Sequence, residues 1–280
     1  MRTFSFEFFP PVDEIGAVDL GINIGRLIRL APSFVAVTYG AGGSSRERTF
    51  ALVNYLQNKV GLKTVAHYSC AEASREKITS DLTTLHAMGI DRLMLLRGDP
   101  PKGEQRFVTP AGGFSHASEL ITFTRALYGN AFTIGAGAYP EKHPEALSAE
   151  TDLYYLKKKV EAGCDFLITQ FFFDNNRYYE FVTRARAAGI HCPLIPGILP
   201  ITHYGQLERF VRISGASIPP HFLAELTDHK DSPDKIAKIG RDYAIAQCRD
   251  LLISGAPGIH FYTLNKSRAT VEIFECLLGA

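Results

Sequence analysis

Residues 152–172 read DLYYLKKKVEAGCDFLITQFF and contain a helix, a stop and a strand in succession. Leu153, Leu156 and Val160 recur at spacings of three and four with charged residues between them, which predicts an amphipathic helix. Gly163 is typical of a helix C-terminus. The apolar run after it favours a strand that is covered on both faces. The stretch therefore predicts one helix–strand repeat of a parallel α/β fold.

The same alternation extends along the whole chain. Gly89 and Gly189 mark two further helix ends directly before strand-like runs. Eight such runs are present, at residues 3–9, 34–39, 64–69, 92–97, 132–138, 166–172, 194–198 and 259–264. No linker divides them, so we expect one α/β domain over residues 1–280, a (β/α)₈ TIM barrel. A doubly wound open sheet is the alternative.

Two segments depart from the regular repeat. Residues 215–247 carry more helical sequence than one unit requires, which predicts extra helices before the last strand. Residues 100–115 are rich in glycine and proline and predict a long loop after the fourth strand.

Composition excludes several classes of protein. The 280 residues carry 30 Lys and Arg against 29 Asp and Glu, too balanced for nucleic acid or acidic membrane to be bound by bulk charge. The five cysteines form no C-x-x-C pair and predict buried, reduced thiols rather than a metal site or a disulfide framework. No apolar run approaches the ~18 residues of a membrane span, and the N-terminus lacks a signal-peptide core, so we expect a cytoplasmic protein.

Polar side chains stand at the strand ends, where a barrel of this type holds its chemistry. Glu7 lies in an aromatic strand, and burial disfavours its charged form. The residue is therefore either paired, for example with Arg97, or keeps a proton that a general acid can use at neutral pH. We favour the acid.

The other strand-end residues leave alternatives open. Asp99 caps a turn or acts in a site, Gln170 is a core amide or a contact to a heteroaromatic ring, and His67 alone favours a core histidine. Tyr139 and His143 lie in a proline-restrained loop and are available to a ligand.

Other motifs of known chemistry are weak or missing. The lysines at 157–159 form either a solvated helix face or a phosphate contact. The glycine-rich segment 40–45 has neither Rossmann nor P-loop spacing. No G-x-S-x-G motif occurs, so a hydrolase has no support.

Several blocks, in order along the chain, resemble the methylenetetrahydrofolate reductase family. They are FEFFPP (6–11), VTYGA (37–41), LRGD (96–99), AYPEKHPEA (138–146), ITQFFFD (168–174), IPGILP (195–200) and FYTLN (261–265). The resemblance implies a barrel that holds FAD and passes a hydride from NADH or NADPH to 5,10-methylenetetrahydrofolate, which yields 5-methyltetrahydrofolate.

The resemblance also implies roles for individual residues. Glu7 resembles the general acid that protonates folate N10 and opens the imidazolidine ring, and Asp99 the carboxylate that stabilises the resulting cation. The implied folate contacts are Glu7, Asp99, Gln170, Gln206, Phe210 and Lys266. The implied FAD contacts are Thr38, Tyr39, His67, Arg97, Gly98, Asp99, Tyr139, His143, Asp152, Tyr155, Lys158 and Lys159.

The chain departs from the family at a few points. Lys266 stands where arginine is frequent, which would remove a bidentate contact to the folate glutamate. Residues 100–115 match no family pattern, and no regulatory extension follows residue 280, so we expect no control by an added domain. Two alternatives stay open: a flavin-free reductase on the same barrel, and a subunit that a partner protein reduces.

Overall fold

The computed structural model describes residues 2–39, 46–99 and 107–278. The glycine-rich segment 40–45 and the first part of the predicted loop, residues 100–106, lie outside the described residues.

The described strands form one parallel sheet that curls into a barrel. They are β1 (Thr3–Phe8), β2 (Phe34–Val37), β3 (Thr64–Ser69), β4 (Arg92–Leu96), β5 (Thr133–Ala138), β6 (Phe166–Thr169), β7 (Leu194–Ile195), β8 (Gly197–Ile198) and β9 (Gly258–Tyr262). Consecutive strands pair from β1 to β7, while β9 pairs with both β1 and β8. The (β/α)₈ prediction is confirmed, with one difference. Pro196 divides the predicted seventh strand into β7, which pairs with β6, and β8, which pairs with β9.

Helices connect the strands on the outside of the barrel. They are α1 (Glu14–Leu27), α2 (Arg46–Tyr55), α3 (Arg75–Ala87), α4 (Ala117–Tyr128), α5 (Ala149–Glu161), α6 (Asn175–Ala187), α7 (Leu207–Ser214), α8 (Pro220–Asp228), α9 (Pro233–Ile253) and α10 (Arg268–Leu278). The sequence predicts extra helices in residues 215–247, and α8 and most of α9 lie there, with α7 just before them. A short 3₁₀ turn, Tyr204–Gln206, leads into α7. Residues 107–116 contain neither helix nor strand.

Alternation along the strands separates two apolar layers. Phe6 and Phe8 of β1 pack in the large cluster beneath the helices, whereas Ala36, Met94 and Ile168 belong to a small cluster inside the barrel. Because successive strand side chains point to opposite faces, Glu7 lies on the inner face between the two phenylalanines. Because the apolar core inside the barrel is small, polar residues occupy the inner face at the carboxyl end of the barrel.

The cysteines depart from the predicted burial at two positions. Cys70, Cys164 and Cys248 are buried free thiols and Cys192 is half-buried, but Cys276 is exposed because it lies on the outer face of α10. Within the described part of the chain, no group of three or more His, Cys, Asp or Glu side chains could hold a metal ion. None of the helices that the structure describes is both long and apolar enough to cross a membrane.

Candidate active site at the carboxyl end of the barrel

Glu7 lies inside the barrel between two histidines from other strands. Its Oε2 atom is 3.7 Å from Nε2 of His67 on β3 and 3.6 Å from Nε2 of His260 on β9. All three side chains are buried. The predicted alternative of a pair with Arg97 does not occur, because Arg97 binds Glu145 through two hydrogen bonds of 2.8 and 2.6 Å.

Residues after β9 hold the end of β1 in place. The side chain of Asn265 accepts a hydrogen bond from the Phe9 amide at 2.8 Å and donates one to the Phe9 carbonyl at 2.9 Å. Thr263 donates its hydroxyl hydrogen to the Glu7 carbonyl at 2.6 Å. These bonds extend the β1–β9 pairing beyond the strands and fix the backbone that carries the carboxylate.

Different interactions act on the two histidines beside Glu7. His260 shares a hydrogen bond of 2.8 Å between its Nδ1 atom and the Ser5 hydroxyl, which turns Nε2 toward Glu7. Burial lowers the pKa of His67, and this effect outweighs the opposing influence of the Glu7 charge. Neither Nε2 atom has a hydrogen-bond partner among the described residues. Two buried ring nitrogens are therefore available to a ligand beside a carboxyl group.

A second group of polar residues lies around the loop after β5. The rings of Tyr139 and His143 meet edge to face at 4.5 Å, and the His143 amide donates to a carboxylate oxygen of Asp152 at 3.0 Å. Lys159, on the same helix as Asp152, donates to the Gly137 carbonyl at 2.6 Å. The structure thus brings together four of the residues for which the resemblance implies FAD contacts.

Burial away from water is the main cause of the pKa shifts in this group of residues. Burial lowers the pKa of Lys159 and the pKa of His143, and the nearby Arg97 charge acts in the same direction on both. The pKa of Tyr139 is raised by burial and by the charge of Asp99. His143 accepts a hydrogen bond at Nδ1 from the Glu145 amide, which leaves Nε2 as its second polar atom.

The ends of β2 and β4 contribute the next residues. Thr38 follows β2, and its carbonyl accepts a hydrogen bond from the Thr49 hydroxyl at 3.0 Å. Tyr39 packs its ring 5.2 Å from Tyr68, and burial raises the pKa of Tyr39 to about 12. Gly98 adopts a φ of 90°, and the exposed Asp99 follows it. Asp99 lies at the carboxyl end of the barrel, which we call the mouth.

An aromatic group stands on the opposite side, after β6 and β9. The ring of Phe171 lies 6.0 Å from Phe210 and 5.8 Å from Tyr262. Gln170 immediately precedes Phe171 and accepts a hydrogen bond from its amide at 3.1 Å. Gln206 ends the 3₁₀ turn before α7. Three of the implied folate contacts therefore come from neighbouring segments.

Three implied contacts lie apart from these groups. Lys158 extends outward to an ion pair with Glu161 at 3.0 Å. Tyr155 stacks on His116 at 4.8 Å and is partly exposed, and Lys266 is exposed after β9. The structure places none of these side chains in contact with Glu7 or with the group around Tyr139.

Sequence reasoning missed two inner residues, His260 and Tyr262. Both point into the barrel from β9, and Tyr262 donates to the Thr169 carbonyl at 2.8 Å. Burial and the Glu7 charge raise the pKa of Tyr262. The signal was present, because polar residues at alternate positions of a buried strand, as with Ser5 and Glu7, indicate a polar inner face.

Comparison with known proteins points to one family. The sequence profile of the family described as methylenetetrahydrofolate reductase matches residues 1–278. The chain is 38% identical over 279 residues to methylenetetrahydrofolate reductase (NADH) 1 of Arabidopsis thaliana, covering 96% of this chain and 47% of the plant protein. It therefore spans about half the length of the plant relatives that it matches. It is 36% identical over 274 residues to 5,10-methylenetetrahydrofolate reductase of Escherichia coli, covering 98% of this chain and 90% of that protein.

A solved structure shares the fold at lower identity. It is a Clostridium thermocellum protein, described as binding two copies of 5-methyl-5,6,7,8-tetrahydrofolic acid, with a TM-score of 0.67 and 17% identity. The match covers 98% of this chain and 93% of that protein. At this identity the likeness concerns the barrel alone.

Proposed function

Since this chain belongs to the methylenetetrahydrofolate reductase family, we propose that it reduces 5,10-methylenetetrahydrofolate to 5-methyltetrahydrofolate, with bound FAD and with NADH or NADPH as electron donor. The observation that carries the proposal is the buried carboxyl group of Glu7 between two imidazoles, at the end of the barrel where such folds hold their chemistry. The family match does not by itself say which residues carry out the reaction.

The residues at the mouth fit a flavin cofactor. The guanidinium of Arg97 and the amino group of Lys159 are donors that a pyrophosphate would take over from Glu145 and the Gly137 carbonyl, and His143 and Tyr139 supply polar ring atoms. A Cβ at Gly137 would meet only Leu96, at 3.7 Å, which leaves room inside the mouth. The remaining contacts would come from Thr38, Tyr39, His67, Gly98, Asp99 and Asp152, with Tyr155 and Lys158 on the outer face of α5. When bound, FAD supplies hydride transfer between the nucleotide and the folate.

Glu7 would supply the proton for ring opening. In this role its carboxyl group delivers a proton to folate N10 as the bond between N10 and the bridging carbon breaks. Burial lowers the pKa of His67, so this imidazole does not place a full positive charge beside Glu7 as a guanidinium would. Among the described residues, Glu7 has no guanidinium partner, and its ion-pair neighbours within 4 Å are the two imidazoles.

Other residues would bind and stabilise the folate. Asp99 places a negative charge at the mouth, which stabilises the cationic iminium produced by ring opening. The amide of Gln170 presents a donor and an acceptor to the pterin edge, and Phe210 packs beside it. Gln206 and Lys266 would contact the folate further out, Lys266 with a single charge rather than a planar fork.

An anaerobic absorption experiment tests the proposal. The protein purified with FAD is reduced with NADH or NADPH, and methylenetetrahydrofolate is then added. We expect the flavin band to bleach with nucleotide and to return with folate. A protein that takes up no FAD yet turns over would favour a flavin-free reductase, and a flavin that folate reoxidises but nucleotide does not reduce would favour a partner protein as donor.

A further inference from the structure

The side chain of Glu145 occupies the guanidinium of Arg97 at the end of β4. The two terminal nitrogens of Arg97 donate to the two carboxylate oxygens of Glu145 at 2.8 and 2.6 Å. Its third nitrogen, Nε, donates to the Gly98 carbonyl at 3.3 Å, and the ring of Phe107 lies 4.9 Å from the guanidinium carbon. Arginine binds phosphate through the same pair of parallel hydrogen bonds. A carboxylate of the chain itself therefore holds the donors that suit a phosphate group.

Glu145 can leave this ion pair without disturbing the barrel. It lies in the loop between β5 and α5, and its side chain is 45% exposed. Its amide donates to Nδ1 of His143 at 3.1 Å, which holds the backbone in place independently of the side chain. Among the described residues, its carboxylate forms hydrogen bonds with Arg97 alone. Those bonds lower the pKa of Glu145, so the carboxylate stays charged at neutral pH.

The charges near the loop after β5 disfavour a second anion while the ion pair persists. Burial raises the pKa of Tyr139, and nearby carboxylates raise it further, whereas the Arg97 guanidinium lowers it. The carboxylates are those of Asp99, Asp152 and Glu145. Lys159 adds a second cation, although burial lowers its pKa. A pyrophosphate brings further negative charge, so its binding here is disfavoured unless a carboxylate withdraws from the cations.

We propose that Glu145 and the pyrophosphate of FAD compete for the guanidinium of Arg97. Without FAD, Glu145 keeps Arg97 paired and so stabilises the fold. When FAD binds, the phosphate takes the two donors, and the carboxylate of Glu145 moves into the solvent that it already contacts. The exchange of one anion for another lowers the affinity for FAD. This inference rests on the proposed function, because it takes FAD to be the cofactor.

Titration of the apoprotein with FAD, followed by flavin fluorescence, tests the competition without any turnover. We expect Glu145→Gln to lower the dissociation constant about fivefold or more, because a neutral amide holds the guanidinium less firmly than a carboxylate. Glu150→Gln is the matched control. It removes the same charge from an exposed position at the start of α5 and should change the dissociation constant less than about twofold.

A double-mutant cycle and thermal unfolding show whether the gain passes through the guanidinium. In an Arg97→Gln background, Glu145→Gln should no longer tighten FAD binding. Without FAD, Glu145→Gln should unfold at a lower temperature than the wild type, and saturating FAD should abolish or reverse that difference. A residue that only supports the fold would instead lower stability and FAD affinity together.

Several results would overturn the proposal. FAD binding that is unchanged or weaker in Glu145→Gln would mean that Glu145 holds Arg97 in place for the cofactor. An equal gain in Glu150→Gln would reduce the effect to net charge. If neither wild type nor variants bind FAD, the proposed function fails in its cofactor, and inorganic pyrophosphate becomes the probe. Pyrophosphate should then protect Glu145→Gln against heat more than it protects the wild type, and equal protection would overturn the competition at Arg97.

Discussion

Glu7 has an unusual set of neighbours for a buried carboxyl group. Two imidazole nitrogens stand at 3.6 and 3.7 Å, beyond hydrogen-bond length, and the guanidinium of Arg97 at the end of β4 is committed to Glu145. The imidazoles therefore act on Glu7 as nearby polar groups rather than through direct hydrogen bonds. This arrangement suits a group that must release and regain a proton during each turnover.

The lowered pKa of His67 predicts how stability depends on pH. An unfolded histidine titrates near pH 6.5, so below about pH 6.5 the unfolded state binds more protons and the free energy of unfolding falls. In His67→Gln this contribution is absent, and the fall between about pH 7 and 5 should be shallower, by at most roughly 1.4 kcal/mol per pH unit. Urea denaturation at several pH values measures it. Equal slopes in both proteins would show that the pKa of His67 is the same in the folded and unfolded states.

At the scale of elements, the end of β4 is shaped by a residue without a side chain. Gly98 has a φ of 90°, and a Cβ there would lie 2.8 Å from Cβ of Ala71 and 2.9 Å from Oγ of Ser69. The close approach to β3 brings Arg97 and Asp99 to the mouth on either side of the turn. Glycine is therefore required both by the backbone conformation and by the space.

Gly98→Ala should weaken both the fold and FAD binding. Gly89→Ala is the matched control, because Gly89 has a φ of 77° but open space around its Cα. The control should lose about 1–2 kcal/mol of unfolding free energy from backbone strain alone. Gly98→Ala should lose more and bind FAD about tenfold more weakly, as followed by flavin fluorescence. Equal losses in the two variants, with FAD affinity unchanged, would contradict this account of the β4 turn.

At the scale of the whole molecule, the barrel closes across a divided strand. Pro196 lacks an amide hydrogen and separates β7 from β8. A Cβ at Gly197 would lie 2.3 Å from the Thr169 carbonyl oxygen and 2.5 Å from the Tyr262 ring. The absence of a side chain at Gly197 thus allows β6, β8 and β9 to meet.

Gly197→Ala should destabilise the entire barrel. We expect a loss of about 2–4 kcal/mol in unfolding free energy, since the atoms that the new Cβ would meet include backbone that cannot move aside. Gly205→Ala, where nothing lies within 4 Å, serves as the control and should change stability little. Thermal and urea unfolding measure both. A Gly197→Ala protein as stable as the control would show that the closure is loosely packed.

The barrel was predictable from the sequence because each strand carries its own apolar run and each helix its own spacing. Glu7 stood out because it is a charged residue within one of these apolar runs. Its partners did not, because β1 pairs with β9 from the other end of the chain and no local pattern reveals that neighbour. Likewise, the sequence could not show which of the two neighbouring lysines, Lys158 or Lys159, turns toward the barrel. A step of about 100° around α5 turns one toward Glu161 and the other toward the Gly137 carbonyl.

A comparison of the two half-reactions in Glu7→Gln tests whether Glu7 is the general acid. Anaerobic stopped-flow absorption follows flavin reduction by nucleotide and flavin reoxidation by methylenetetrahydrofolate separately. We predict that reduction stays close to the wild-type rate while reoxidation falls about 10²–10⁴-fold, because only ring opening needs the proton. Equal losses in both half-reactions, or an unchanged reoxidation rate, would contradict the role of Glu7.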